Sequence, residues 1–195
     1  PTQLRFGADN RKLTYTYDPI GRLYRRVAVG AANYTTQYAY FGPDPEDTIL
    51  TTPLVTSITQ NGQNFSYTYD NVGNISSVTR NGLTTTYVYD NLGQLIRVND
   101  PHANKSTVYV YDRGGNITSY SEYAYTTGTL GTATQTVGYV YGDTNWKDKV
   151  TAIGGKAISY DAIGNPLTYD GWTFTWKAGR MLASMVKTGT NAQFT

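Results

Sequence analysis

The stretch "YTYDNVGNISSVTRNGLTTTYVYDNLGQL", residues 67–95, states one phrase twice: Tyr69-Asp70-Asn71-Val72-Gly73 and then Tyr89-Asp90-Asn91-Leu92-Gly93. Midway between them sits Asn81-Gly82. That dipeptide favours a type I′ hairpin turn, whose two central residues both need a positive φ. Between the turns the side chains alternate. Leu83, Thr85, Tyr87 and Tyr89 fall on one side, with Thr84, Thr86 and Val88 on the other. A period of two marks a strand. One unit therefore reads strand, Asn-Gly turn, strand, Tyr-Asp-x-x-Gly turn, and units in series make an antiparallel meander.

The phrase recurs at Tyr17-Asp18-Pro19-Ile20-Gly21, Tyr111-Asp112-Arg113-Gly114-Gly115 and Tyr160-Asp161-Ala162-Ile163-Gly164. The residue after the glycine is Arg22, Asn74, Gln94, Asn116 or Asn165, and Leu23, Ile75, Leu95, Ile117 or Pro166 follows. Weaker copies lie at residues 6–13, with Asn10 in the place of the glycine, and at residues 176–182, "WKAGRML", a shortened form. Tyr141 begins a further copy that keeps only the tyrosine. Asn61-Gly62, Gly154-Gly155 and Asp170-Gly171 take the place of the hairpin turn elsewhere. The expectation is one all-β array over residues 1–195, a curved antiparallel strip of β-hairpins with little or no helix. Insertion-like segments fall near residues 42–54 and 119–137. The one span with helical propensity is 177–187, "KAGRMLASMVK".

Every letter of the phrase has a structural task. An aspartate at a strand end accepts the backbone N–H two residues on, forming an Asx-turn. The glycine supplies a positive φ that a Cβ would oppose. The tyrosine ring covers apolar surface while its hydroxyl finds a hydrogen-bond partner. Successive phrase aspartates are separated by two strands, ~10 Å, a little too far for a glycosidase carboxylate pair. Tyr17, Asp18, Gly21 and their counterparts through Tyr160, Asp161 and Gly164 are thus expected to be architecture. No catalytic residue, metal site or cofactor is expected.

Composition sets the bounds. Of 195 residues, 19 are tyrosine, 20 glycine and none cysteine, which excludes disulfides and thiolate metal sites. The net charge of +2 is too weak to argue for nucleic acid. No run approaches the length of a membrane helix, and the opening "PTQLRFGADN" shows no secretory leader. The chain reads as a fragment of a longer protein.

Tyr-Asp-x-x-Gly followed by Asn or Arg and then Ile or Leu, at a period of about twenty, resembles the YD-repeat, or Rhs-repeat, family. The resemblance implies a β-strip of repeats that forms a hollow shell. The family includes Rhs polymorphic toxins, the C component of Tc insecticidal toxin complexes, and teneurins. It implies a non-catalytic scaffold in a large secreted or surface bacterial protein, enclosing or presenting a C-terminal toxin or effector. The partners implied are further repeats and the enclosed domain of the same polypeptide. Residues 156–185 are similar to segments of Gram-positive secreted or wall-associated members. Family shells often end in an Asp-Pro-x-Gly motif at which the chain is cut. The nearest string here, at Asp18-Pro19-Ile20-Gly21, sits inside an ordinary repeat and reads as a turn.

Other signals are weaker. Trp172, Phe174 and Trp176 share a strand face and could stack on a sugar, making a carbohydrate-binding module the alternative function; packing on the neighbouring hairpin is the plainer reading. His102 is the only histidine and reads as a loop residue. Asp44, Glu46 and Asp47 cluster between prolines as a solvated turn. The open edge strands are a liability for self-association.

Overall fold

The computed structural model describes residues 2–6, 11–30, 32–42, 52–187 and 189–193. Asn10, Asp44, Glu46 and Asp47 lie outside the described residues. The chain divides into two compact units, residues 1–105 and 106–195.

Unit 1 is an antiparallel meander of nine strands among the described residues. They are β1 (Gln3–Phe6), β2 (Arg11–Tyr17), β3 (Leu23–Val29), β4 (Tyr34–Tyr40), β5 (Val55–Gln60), β6 (Gln63–Tyr69), β7 (Ile75–Arg80), β8 (Leu83–Tyr89) and β9 (Leu95–Asp100). Each pairs with its chain neighbour. Unit 2 repeats the arrangement with β10 (Lys105–Tyr111), β11 (Ile117–Ala124), β12 (Gln135–Val140), β13 (Ala152–Ile153), β14 (Lys156–Tyr160), β15 (Pro166–Tyr169), β16 (Trp172–Lys177), β17 (Met181–Lys187) and β18 (Thr190–Gln193). No described residue is helical, and so no helix among them is long and apolar enough to cross a membrane.

The hairpin turns follow the dipeptides. Asn61 and Gly62 have φ of 45° and 85°, Asn81 and Gly82 51° and 75°, and Asp170 and Gly171 49° and 78°. Gly154 and Gly155 do the same at 56° and 77°. At the phrase turns the tyrosine pairs with the residue six places on, and the ladder then slips by one. Tyr17 faces Leu23, Tyr69 faces Ile75, Tyr89 faces Leu95 and Tyr160 faces Pro166. The slip is a β-bulge, which bends the strand and absorbs an odd residue.

Little or no helix is expected, and the one span with helical propensity is no exception: residues 181–187 form strand β17, where the ladder to β16 outweighs local propensity, which tertiary pairing routinely overrides. Trp176 pairs with Leu182, six places on, and the ladder slips between Thr175 and Trp176, so the shortened copy keeps the register of the phrase. The segment near 119–137 is strand at both ends. "ITSYSEYA" runs on as β11 through Ala124 and β12 resumes at Gln135, because the alternating pattern continues past Ser119.

Among the described residues, the strand contacts within each unit fall between strands next to each other in the chain. A single layer has no second sheet to bury against, and no described apolar side chain is buried. Partial cover comes from the tyrosine face. The rings of Tyr109 and Tyr120 lie 6.5 Å apart, and those of Tyr120 and Tyr139 6.4 Å. The opposite face carries hydroxyl pairs across the strands: Thr68 with Ser77 at 2.7 Å, Thr79 with Thr84 at 2.8 Å, Thr175 with Ser184 at 2.6 Å. Such cross-strand pairs each contribute ~0.2–1 kcal/mol.

Candidate functional site

The repeated phrase is the one chemical constellation the chain builds again and again. In all five copies the aspartate Oδ1 accepts two backbone N–H bonds, from the residues two and four places on, at 2.8–3.1 Å. The aspartate N–H donates to the carbonyl of the residue after the glycine, and the glycine N–H donates back to the aspartate carbonyl, at 2.9–3.1 Å. Gly21, Gly73, Gly93, Gly115 and Gly164 close the turn with φ between 75° and 93°.

The residue after the glycine has a task that the spacing alone did not disclose. Its side chain donates to the aspartate Oδ2: Arg22 Nε at 2.6 Å, Asn74 Nδ2 at 3.0 Å, Asn116 Nδ2 at 3.0 Å and Asn165 Nδ2 at 2.7 Å. The asparagine recurs because its amide reaches back over one turn. The Asn116 amide, then backbone N–H groups, hold Asp112 below the usual carboxylate range. At Asp18, Asp70 and Asp161 desolvation pushes upward, but the bonds from Arg22, Asn74 and Asn165 together outweigh it and the carboxyls sit low. Ionised carboxylates saturated with donors make poor general acids or bases.

The tyrosine is a latch. Tyr89 donates its hydroxyl to the carbonyl of Ile75, the first strand residue after the preceding phrase, at 3.0 Å. Tyr69 does the same to Val55 at 2.7 Å and Tyr160 to Val150 at 2.6 Å. Trp176 substitutes its indole N–H, 2.7 Å from the Pro166 carbonyl. Desolvation pushes the Tyr89 and Tyr160 hydroxyls up, so they stay protonated donors.

Two further latches lie outside the full phrase, one at Tyr40, which the pattern does not single out, and one at Tyr141, the reduced copy. Tyr40 donates to Leu23 at 2.8 Å, and Tyr141 donates to Ile117 at 2.9 Å. Neither is followed by aspartate, and in each the next described strand begins more than ten residues on. Asp143 was also missed. It accepts the N–H groups of Asn145 and Trp146, both at 2.9 Å, and pairs with Lys149. The bond from Lys149 and then those two N–H groups lower its pKa to about 2. The Trp146 ring lies directly over Gly164.

Trp172, Phe174 and Trp176 lie on the half-buried side of β16, with Thr173, Thr175 and Lys177 exposed opposite. The Lys187 ammonium lies 5.9 Å from the Trp172 ring centre. His102 is exposed, and its backbone N–H donates to Asp100 at 2.9 Å. Among the described residues no group of three or more His, Asp or Glu side chains is placed to hold a metal ion. The turn at Asp18-Pro19 is an ordinary phrase turn, with Arg22 clamping the carboxylate.

Residues 72–105 and 89–129 match the family model described as RHS Repeat, so that stretch carries RHS repeats. No curated protein matches. Solved structures of toxin complexes share the fold. A crystal structure of TcdB2-TccC3-TEV matches over 90% of this chain at 17% identity with a TM-score of 0.57. A Tc holotoxin pore of Photorhabdus luminescens carrying a TccC3 mutation matches over 91% at 18% identity with a TM-score of 0.54. A crystal structure of TcdB2-TccC3-Cdc42 matches over 94% at 16% identity with a TM-score of 0.55. The chain spans 11–12% of the length of those chains.

Proposed function

We propose that this RHS-repeat chain is a non-catalytic scaffold, one section of the wall of a larger secreted or cell-surface bacterial protein that encloses or presents a C-terminal toxin or effector domain. One observation carries the reading: the repeated residues are consumed in holding the repeats together. Each phrase aspartate closes its own turn, and the latch hydroxyls tie one repeat to the backbone of the last. The RHS match and the fold shared with toxin complexes support the same reading. Its partners are the neighbouring repeats and the enclosed domain of one polypeptide. Limited proteolysis of the longer polypeptide tests this. The segment beyond the repeats should resist protease while the repeats are folded and be cut once they are loosened. Equal cutting in both states would remove the enclosing role.

A second reading, binding of a glycan, rests on the three aromatic rings that share one side of β16. It requires that Trp172→Ala abolish binding to a glycan array while the strand spectrum in circular dichroism is unchanged.

A further inference from the structure

Between each phrase turn and the next turn along the same edge lies a notch. The structure shows how four such notches are treated, and one differs. In the first, the Arg22 guanidinium fills the gap. Its Nε donates to Asp18 at 2.6 Å, its Nη1 crosses to the Thr52 carbonyl at 2.7 Å, and its centre lies 4.4 Å from the ring of the next latch, Tyr40. After Asp112, the Asn116 amide crosses to Asp148 at 3.1 Å. After Asp161, the Asn165 amide crosses to the Gly179 carbonyl at 2.7 Å, and the Arg180 guanidinium crosses back to the Ile163 carbonyl at 3.0 Å.

The notch between residues 70–74 and 90–94 has no such crossing group. Asn74 bonds only to Asp70 among the described residues, and a cleft of about 450 Å³ remains, lined by Asp70, Asn74, Tyr89 and Asp90. Independently, Asp90 is the one phrase aspartate whose Oδ2 receives no side-chain donor among the described residues. Gln94 gives it only a backbone N–H, at 2.9 Å. The rim is apolar and bare, with Val72 83% and Leu92 82% exposed.

We infer that this notch is a guanidinium-binding site, which takes the arginine side chain of a peptide segment lying along the turn edge. Asp70, Asn74 and Tyr89 stand where Asp18, Arg22 and Tyr40 stand two notches earlier. Asn74 already donates to Asp70, so what the incoming arginine supplies is the group that crosses the gap to the next turn and the next latch ring, as Arg22 does there. The planar fork suits a carboxylate acceptor and an aromatic face together. The methylene stem lies on Val72 and Leu92, as long cationic side chains do on apolar surface. The charge is complementary, two carboxylates against one cation. The inference goes beyond the scaffold reading and does not depend on it.

The test is a titration of the full chain with the blocked tripeptide acetyl-Gly-Arg-Gly-amide, followed by amide chemical shifts in NMR. A single exposed charge pair with partial stacking predicts a Kd of ~1 mM. The shifts should be confined to residues 70–74 and 88–94. The citrulline analogue, neutral and of the same shape, should bind at least about fivefold more weakly. Asn74→Arg, which copies Arg22 and closes the notch from within, should abolish the response. Asp90→Asn should weaken it while keeping the Oδ1 acceptor of the turn. Equal binding of arginine and citrulline peptides, an unchanged response in folded Asn74→Arg, or no shifts at ~20 mM peptide would each overturn the assignment.

Discussion

Gly164 separates two effects that are usually entangled, backbone strain and steric exclusion. Its φ is +86°, and a Cβ there would come within 2.7 Å of Trp146 Cζ3 and 2.8 Å of Cη2. Gly155, in the same unit, has φ +77° and nothing within 4 Å of such a Cβ. Gly155→Ala should therefore cost only the left-handed strain, ~1–2 kcal/mol. Gly164→Ala costs the same strain and also displaces the indole. Trp146 is 48% exposed, so about half of its ring is in contact. Losing roughly 100 Å² of that contact costs at most ~2–3 kcal/mol, and a partial shift of the ring costs less. The expected total is ~2–4 kcal/mol, an excess of ~1–2 over Gly155→Ala. The assay is urea unfolding followed by tryptophan fluorescence, because Trp172 and Trp176 sit in the same unit as both glycines. In a Trp146→Ala background the excess should vanish and the two glycine substitutions should cost the same. Equal costs in the natural sequence, or an excess that survives Trp146→Ala, would refute the packing argument.

Three further outcomes follow from the geometry. Tyr160→Phe keeps the ring and deletes the 2.6 Å bond to the Val150 carbonyl; it should lower stability by ~0.5–1.5 kcal/mol in the same unfolding assay, and an unchanged midpoint would deny the latch its role. Asp143 has a folded pKa lowered from 3.8 to about 2, so its contribution is complete above pH ~4 and is lost as pH falls through about 2. Asp143→Asn should thus flatten the acid decline of the urea midpoint between those values, and a decline as steep as in the parent would show that the Lys149 pair is irrelevant to it. Ala178 holds a φ of +46° without being glycine. Ala178→Gly should relieve ~1–2 kcal/mol of strain against ~0.5–1 of added chain entropy, a net gain of up to ~1 kcal/mol; any loss of stability would mean that the methyl group makes a contact worth more than the strain.

Much of the turn chemistry was legible because it is local. The aspartate, its two N–H donors and the positive-φ glycine lie within five residues, and the Asn-Gly turns are set by their own dihedrals. The clamp by Asn74, Asn116 and Asn165 is equally local but was not read, since an asparagine in a turn has several tasks open to it. Tyr40 and Tyr141 were invisible as latches because the Asp-x-x-Gly part of the phrase does not follow them, while their partners Leu23 and Ile117 lie 17 and 24 residues away. Asp143 was hidden for a related reason, as its cation arrives from Lys149 at the far end of the same loop.

By itself the sequence determined the type and order of the elements. Alternation forces strands, and the dipeptides and phrases force the reversals between them, through interactions that span a few residues and need no partner. Only the tertiary structure decided the register, with its one-residue slip at each phrase, and hence which carbonyl each tyrosine meets. It alone decided that residues 181–187 join the ladder, and that the notch beside Asp70 stays open while that beside Asp18 is filled. Those outcomes depend on side chains brought together across strands, where a single residue of register moves every group to the opposite face.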